Sequence, residues 1–417
     1  MAEARLQPPL YTYIVYNAYV ARVKPKHRQA SGDLFPTDEP IPASQMIGRA
    51  EDVAQVASAL ENGTNLVLAG PRRTGKTSVC DAALTRAKAH GCYIASVDLF
   101  AIADDAELAE ALASAILSNR PAVRKLLPKA RRFGRQALTT AQGALVMKLR
   151  GQFGDAVELA VTPGLATRDP QRALTEALEL PQRVALADGR RFVLFIDEFQ
   201  EVANARRPYG DPDALTKRMR AIFQRSTQVS CLFAGSIEHV MRDLFAPQDR
   251  AFSGFGGFYT PRAIAEDDWR KGLRERLHAD GCEIADDALA HLVGLGELHP
   301  RVTMLIAQQT HFLSVLLDRT EIDLSLVAQG YDNAYQRDSA LLDQLLEQIR
   351  SSHRQALRIA RRVAIRATLT SGMHRSEADR ALKKLIEAGL IERAGRGDYR
   401  IANPLLRRRL TEQAGML

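Results

Sequence analysis

A chain of 417 residues exceeds what one hydrophobic core usually organises, so two or three domains are expected. A content of 46% hydrophobic and 25% charged residues is that of a soluble globular protein. No apolar run approaches the ~20 residues of a membrane helix, and the opening residues lack the charged-then-apolar pattern of a signal peptide. Cys80, Cys92, Cys231 and Cys282 show neither metal-ligand spacing nor a disulfide framework, so a reduced, cytoplasmic protein is expected. The net charge of +8 is uneven: residues 350–417 hold 16 Lys+Arg against 6 Asp+Glu, a net of +10, which leaves the first 349 residues at −2. A polyanion partner would therefore belong to the C-terminal segment.

In chain order, residues 1–45 read as an N-terminal arm packed on the main domain. Its tyrosines (Tyr11, Tyr13, Tyr16, Tyr19) could alternatively stack on bases. Met46-Ile47-Gly48-Arg49 then leads into a helical apolar period that ends near Leu60. The apolar run 65–69 reads as a buried strand, and directly after it stands Gly70-Pro71-Arg72-Arg73-Thr74-Gly75-Lys76-Thr77, with Ser78 behind. This fits G-x-x-x-x-G-K-[ST] between a strand and a helix (77–89), the context in which that spacing means a phosphate-binding loop rather than a plain glycine turn. Gly70 and Gly75 permit backbone angles and a close approach that a Cβ would forbid. Backbone N–H groups and the helix N-terminus would wrap the phosphates. Lys76 would reach the β- and γ-phosphates, and the Thr77 hydroxyl would bind Mg²⁺.

Residues 92–99 read as a second strand and 104–118 as a helix. From 118 to 150 there are nine Lys+Arg and no acid, at the start of an insertion running to about 165. That stretch reads as a nucleic-acid-facing element, a solvated helical face or a flexible loop. Gly and Pro within 151–170 predict looser structure before a helix at 171–187. Arg191-Phe-Val-Leu-Phe-Ile-Asp197-Glu198 is a central parallel strand ending in two acids, at the edge where such sheets bind ligands. Asp197 would hold Mg²⁺ through water, and Glu198 would orient and deprotonate the attacking water. A helix (211–226) and another buried strand (229–234) follow, the strand running into Gly235-Ser236.

Three helices (266–280, 285–294, 300–317) have the size of a lid, with Pro300 at a permitted first-turn position. Residues 320–349 read as a helical linker with Leu341, Leu342, Leu345, Leu346 and Ile349 on one core-facing side. The last 68 residues look like a winged helix: a helix at 353–367, a second within 364–372, a third capped by Ser376 and ended by Gly389, and a hairpin around 395–397. Arg375, Arg380 and Lys383 would face a DNA groove, and Arg393, Arg396 and Arg400 would supply wing contacts to phosphate. Arg350, Arg354, Arg358, Arg361 and Arg362 follow i, i+4 spacing, a plausible phosphate stripe or a solvated face. A winged helix that contacts protein instead of DNA is the alternative, and the net charge of +10 favours DNA.

The box Met46-Ile47-Gly48-Arg49-Ala50-Glu51-Asp52 ahead of the loop, hydrophobic-Gly-Arg-x-x-Glu/Asp, resembles that of AAA+ and STAND ATPases, origin-recognition ATPases included. The forms Gly-Pro-Arg-Arg-x-Gly-Lys-Thr and Ile-Asp-Glu-Phe-Gln resemble the archaeal and bacterial "ATPase_2" group. Asn403-Pro-Leu-Leu also resembles the closing helix of the winged module in that group. The resemblance spans roughly 45–412 and implies an α/β fold: a P-loop NTPase (ASCE/AAA+-like) parallel sheet over 46–264, a helical lid (265–320), a linker (321–349) and a C-terminal winged-helix domain (350–417).

It further implies that Ile47 and Gly48 lie beside adenine, that Ser236 is sensor 1 and that Arg301, after His299, is sensor 2. The Gly-Arg pair that would carry an arginine finger is replaced by Gly256-Gly257, leaving Arg250 or Arg262 as substitutes. The implied protein is an ATP- and Mg²⁺-dependent ATPase switch that engages double-stranded DNA. Its alternatives are a nucleotide-gated scaffold for a partner protein or for self-association, and a DNA loader.

Overall fold

Five apolar runs bounded by glycine or charge become strands: β1 (Leu66–Ala69), β2 (Tyr93–Asp98), β3 (Phe192–Asp197), β4 (Val229–Gly235) and β5 (Gly257–Tyr259). All pair in parallel, in the order β2-β3-β4-β1-β5. A parallel sheet is covered on both faces, which is why β1 and β4 are apolar and buried at every position instead of alternating. The computed structural model describes residues 29–70, 74–133, 138–203, 212–245, 252–371, 373–395 and 397–414. Tyr11, Tyr13, Tyr16, Tyr19, Pro71, Arg72, Arg73, Arg250 and Arg396 lie outside the described residues.

Alternate strand residues divide between two cores. Leu66, Leu68, Val193, Phe195 and Leu232 share one with α1 (Ala50–Glu61) and α2 (Lys76–Ala89). Val67, Leu194, Ile196, Cys231 and Phe233 share the other with α3 (Asp105–Leu117), α4 (Pro121–Phe133), α5 (Thr140–Phe153), α6 (Ala156–Val161), α7 (Pro170–Asp188), α8 (Pro212–Phe223) and α9 (Glu238–Phe245). The strand order puts β4 between β1 and β3. The register pairs Ala69 with Gly235, Ile196 with Phe233 and Asp98 with Asp197. Gly70, Ser236, Asp197 and Asp98 thus all leave the sheet at its C-terminal edge.

The basic insertion is folded. Val123, Leu126, Leu127 and Ala130 of α4 join the sheet's second core, and Arg124, Lys125, Lys129 and Arg132 face solvent. That is the solvated-face arrangement, not a loop. The stretch expected to be loose, 151–170, begins as the end of α5 and continues as α6, where every residue is buried. The physical reason is composition: Ala-Val-Glu-Leu-Ala-Val is apolar all round except Glu158, which lies 3.6 Å from Arg150.

The chain divides into two units: 40–263 with 344–417, and 1–39 with 264–343. The second unit comprises α10 (Glu266–Ala279), α11 (Asp286–Gly296), α12 (Pro300–Leu316), α13 (Leu324–Arg337) and a short parallel pair, β6 (Glu283–Ile284) with β7 (Glu321–Ile322). The described part of the N-terminal arm belongs here and not to the P-loop domain. Phe35 is fully buried, its carbonyl accepts from Gln308 Nε2 (2.7 Å), and the Leu34 carbonyl accepts from Arg276 (3.1 Å). A buried chain ties the segment down: Ser31 Oγ to His311 Nδ1 (2.8 Å), His311 Nε2 to Asp280 Oδ2 (2.8 Å), and the Gln29 N–H to Asp280 Oδ1 (2.7 Å). Asp280, Cys282 and His311 are the one potential metal-ligating trio among the described residues, but both ring nitrogens are already engaged.

The expected linker is not a separate piece. Its first part is α13, packed in the lid unit through Leu326, Val327 and Ala334. Its second part is the start of α14 (Ser339–Ser352), with Leu342, Leu346 and Ile349 buried as expected. Then come α15 (Ala356–Ala364), α16 (Arg375–Glu387), an antiparallel hairpin of β8 (Ile391–Gly395) and β9 (Asp398–Ile401), and α17 (Pro404–Ala414), which Asn403 caps through Leu405 N–H (2.9 Å).

Three local expectations are corrected here. No helix forms over the described residues of 365–372; these are turns, pinned by Arg362 donating to the Leu369 carbonyl (2.7 Å). Ser376 lies inside α16, whose N-cap is His374. The arginine stripe is broken because the chain leaves the helix at 353–355: Arg354 pairs with Glu377, and Arg358 and Arg362 donate to loop carbonyls. Among the described residues no helix is long and apolar enough to cross a membrane.

Replacing His311 by alanine removes a buried partner of Asp280 and opens a cavity in the lid. The expected cost is about 3–5 kcal/mol, read as a lower midpoint in chemical denaturation. An unchanged midpoint would show that the Ser31–His311–Asp280 chain does not hold the segment.

Candidate functional site

The loop after β1 is shaped by backbone requirements. Gly75 takes φ +87°, ψ 17°, the left-handed region that glycine tolerates best, although a Cβ there would meet nothing within 4 Å. Conformation, and not space, demands glycine here. Gly75 is the N-cap of α2 and supplies no side-chain cap, and the start of this helix is the positive end of the helix dipole. Lys76 and Ser78 are buried and Thr77 is half-buried. Ser78 Oγ accepts from the Ile41 N–H (2.9 Å), which fixes the chain entering this domain. Ile47 is half-buried, and Gly48 is exposed with φ +62°.

Arg49 enters the sequence pattern only as part of the Gly-Arg box, with no role of its own, yet it joins three pieces of the site. It is buried and donates to Asp52 Oδ2 (3.0 Å), to the Thr74 carbonyl of the loop (3.1 Å) and to the Arg262 carbonyl beyond β5. Asp52 Oδ1 in turn accepts from Tyr259 Oη (2.6 Å) and the Arg262 N–H (3.3 Å). Burial, and then the bond to Asp52, push the Tyr259 phenol up. An Arg–Asp pair at i, i+3 normally reads as helix surface, so only its burial reveals this use. The Arg262 side chain is exposed and pairs with Glu51 (3.1 Å).

Facing the loop, acids crowd the sheet edge. Burial, offset in part by the Glu198 N–H on Asp197 Oδ1 (2.8 Å), and then the charges of Glu198, Asp98 and Asp81 push Asp197 up to about 6. Burial also raises Asp81. Glu198 is held at φ +48°, a costly region for a residue with a Cβ. Its Oε2 accepts from Ser236 Oγ (2.9 Å) and from Gln200 Nε2. The turn is anchored from behind by Phe199, whose ring packs 4.6 Å from Phe233, 5.5 Å from Phe245 and 5.7 Å from Phe252 between centroids. An uncapped helix end, a buried lysine and a threonine on one side, with a cluster of carboxyl groups opposite, suit a polyphosphate carried with a divalent cation.

The remaining candidates lie elsewhere. Arg301 of the lid unit is bidentate on Asp338 (2.5 and 2.9 Å), with Asp38 at 3.8 Å, and His299 caps α12 through the Val302 N–H (3.3 Å). In the C-terminal module, Arg375, Arg380, Lys383, Arg393 and Arg400 are all exposed. Arg400 is bidentate on Glu392 (3.0 and 2.9 Å), and Lys383 lies 3.7 Å from Glu387.

Comparison with known proteins agrees with this geometry. The family model of the AAA ATPase domain matches residues 45–209. No curated protein matches the chain. Among solved structures, the Walker-type ATPase PABY2304 of Pyrococcus abyssi is similar, with 16% identity, a TM-score of 0.64, and 90% of this chain and 99% of that one covered. The ORC2 protein of Aeropyrum pernix, in its ADPNP–ADP complexes, is 15% identical with a TM-score of 0.55, covering 92% and 98%. At these identities the likeness is one of fold: a P-loop NTPase sheet with helices.

Asp197 carries a stability cost when ionised. Its folded-state value lies above the ordinary carboxylate range, so the native state is favoured below that range and loses this advantage as pH rises through about 6. Asp197→Asn is therefore expected to stabilise the nucleotide- and metal-free protein by roughly 1–3 kcal/mol above pH 7. The gain should shrink as the pH of thermal melts is lowered towards 4.

Proposed function

We propose that the chain binds and hydrolyses Mg-ATP and uses nucleotide state to control binding of duplex DNA. The observation that carries the ATPase half is the single sheet edge at which an uncapped helix N-terminus, Lys76 and Thr77 face the crowded carboxylates of Asp197 and Glu198. The AAA ATPase match over 45–209 supports it, as does the adenine-nucleotide complex of the A. pernix structure.

In this reading Gly70, Thr74, Gly75 and the first turn of α2 cradle the phosphates, and Lys76 neutralises the terminal ones. Ile47 and Gly48 border the base. Thr77 and Asp197 would hold Mg²⁺, which would supply neutralising charge to the phosphates. Glu198 aims a water at the γ-phosphate and accepts its proton, while Ser236 offers a hydroxyl at the same point.

The DNA half rests on the net charge of +10 in residues 350–417 and on the exposure of Arg375, Arg380, Lys383, Arg393 and Arg400, on one helix and a hairpin read as a winged helix. A second reading, a nucleotide-gated module for a partner protein, draws on the ion-paired Arg354 and Arg400 and on Arg358 and Arg362, which donate to loop carbonyls.

Lys76→Ala should abolish ATP binding in a fluorescent-nucleotide titration. Glu198→Gln should bind ATP normally and lose hydrolysis by about 100-fold or more, the usual scale for removing a general base. With that variant held in ATP, duplex DNA affinity should fall steeply with salt, with a log–log slope of about −4.5 for five phosphate contacts. No duplex binding at low salt would favour the protein-partner reading.

A further inference from the structure

Gln200 follows the acidic pair by two residues, in the 3₁₀ turn Phe199–Ala203. It is only 3% exposed, and both ends of its amide are engaged. Nε2 donates to Glu198 Oε2 and, at 3.4 Å, to Ser236 Oγ; Oε1 accepts the Ser236 N–H at 3.2 Å. Ser236 Oγ donates to the same Glu198 oxygen at 2.9 Å. The surroundings are cut to admit this side chain. A Cβ on Gly235 would stand 2.6 Å from Gln200 Oε1 and 2.5 Å from Met241 Sδ, so β4 must end in glycine. Glu198 itself accepts the left-handed backbone that turns its carboxylate towards the amide.

We propose that Gln200 is a positioning residue for hydrolysis, a buried amide that clamps the Glu198 carboxylate to the end of β4. The inference rests on the reading of Glu198 as the base. Two donors converge on Oε2, which leaves Oε1 as the oxygen free to turn to a water. A carboxylate on a flexible side chain samples several rotamers, and one held by two charge-assisted bonds does not. Misplacement of a reacting group by about 1 Å can cost 100-fold in rate, so the clamp acts on turnover and not on nucleotide affinity. Ser236 has a hydroxyl that can leave Glu198 for another acceptor. With Gln200 in place, Glu198 keeps one donor when that happens.

The test uses the full chain. Gln200→Leu removes both ends of the amide. Gln200→Glu keeps the shape and an acceptor for the Ser236 N–H but puts a carboxylate where the donor was. Both should bind ATP within about twofold of wild type by fluorescence titration and lose kcat by about 10–100-fold. In a Glu198→Gln background, Gln200→Leu should cost less than about twofold more, because a clamp with nothing to position has no further effect. A wild-type kcat in either folded single variant, alongside an inactive Glu198→Gln protein, would overturn the clamp alone. Loss of ATP affinity in step with kcat would also overturn it, showing a merely structural role. A Glu198→Gln protein with wild-type turnover would overturn the general-base reading and the clamp with it.

Discussion

Negative charge gathered at one edge of a buried sheet is the constraint to which the rest of the P-loop unit answers. Parallel strands end on the same side, so β2, β3 and β4 deliver Asp98, Asp197 and, past the turn, Ser236 to one line, opposite the loop after β1. Asp197 is raised to about 6 by that burial and company, and Glu198 occupies backbone space that side chains avoid. Neither condition favours folding. Both persist because the flanking structure is over-determined: strands buried on both faces, a phenylalanine cluster behind the turn, and a glycine at the end of β4. Stability is spent here on a site that a cation and a polyphosphate would relax.

Arg49 shows how the loop is coupled to its own domain. One guanidinium spans the first helix, the loop carbonyl of Thr74 and the chain that leaves β5. The Thr74 and Arg262 carbonyls therefore share one donor group, Arg49. Within the lid unit the ties are of another kind: Phe35 and the Ser31–His311–Asp280 chain hold residues 29–39 onto α12. An N-terminal piece that reads as an appendage is part of a core.

The C-terminal module separates charge from availability. Its excess of basic residues is real in the sequence, but several arginines close turns or pair with nearby acids, as Arg354, Arg358 and Arg362 do. The exposed set on α16 and the hairpin is smaller than the count implies. The same holds for the insertion, where Arg120 meets Asp188 and Arg150 meets Asp155, while Arg124, Lys125, Lys129 and Arg132 of α4 face outward.

The sequence by itself determined whatever depends on neighbours along the chain. Apolar runs ending in glycine or paired acids mark β1, β3 and β4. The G-x-x-x-x-G-K-T spacing marks the loop, and helical periods mark the lid. These are local because backbone angles, helix dipoles and strand burial act over a few residues. Tertiary structure alone decided which distant groups meet. That Arg49 reaches Thr74 and Arg262, that Gln200 bridges Glu198 and Ser236, that 29–39 joins the lid, and that 156–161 is buried on every side all depend on the strand order and on the packing of helices far apart in the chain. A buried polar side chain looks no different in the sequence from an exposed one. Its partner, and so its role, exists only once desolvation forces it to find one.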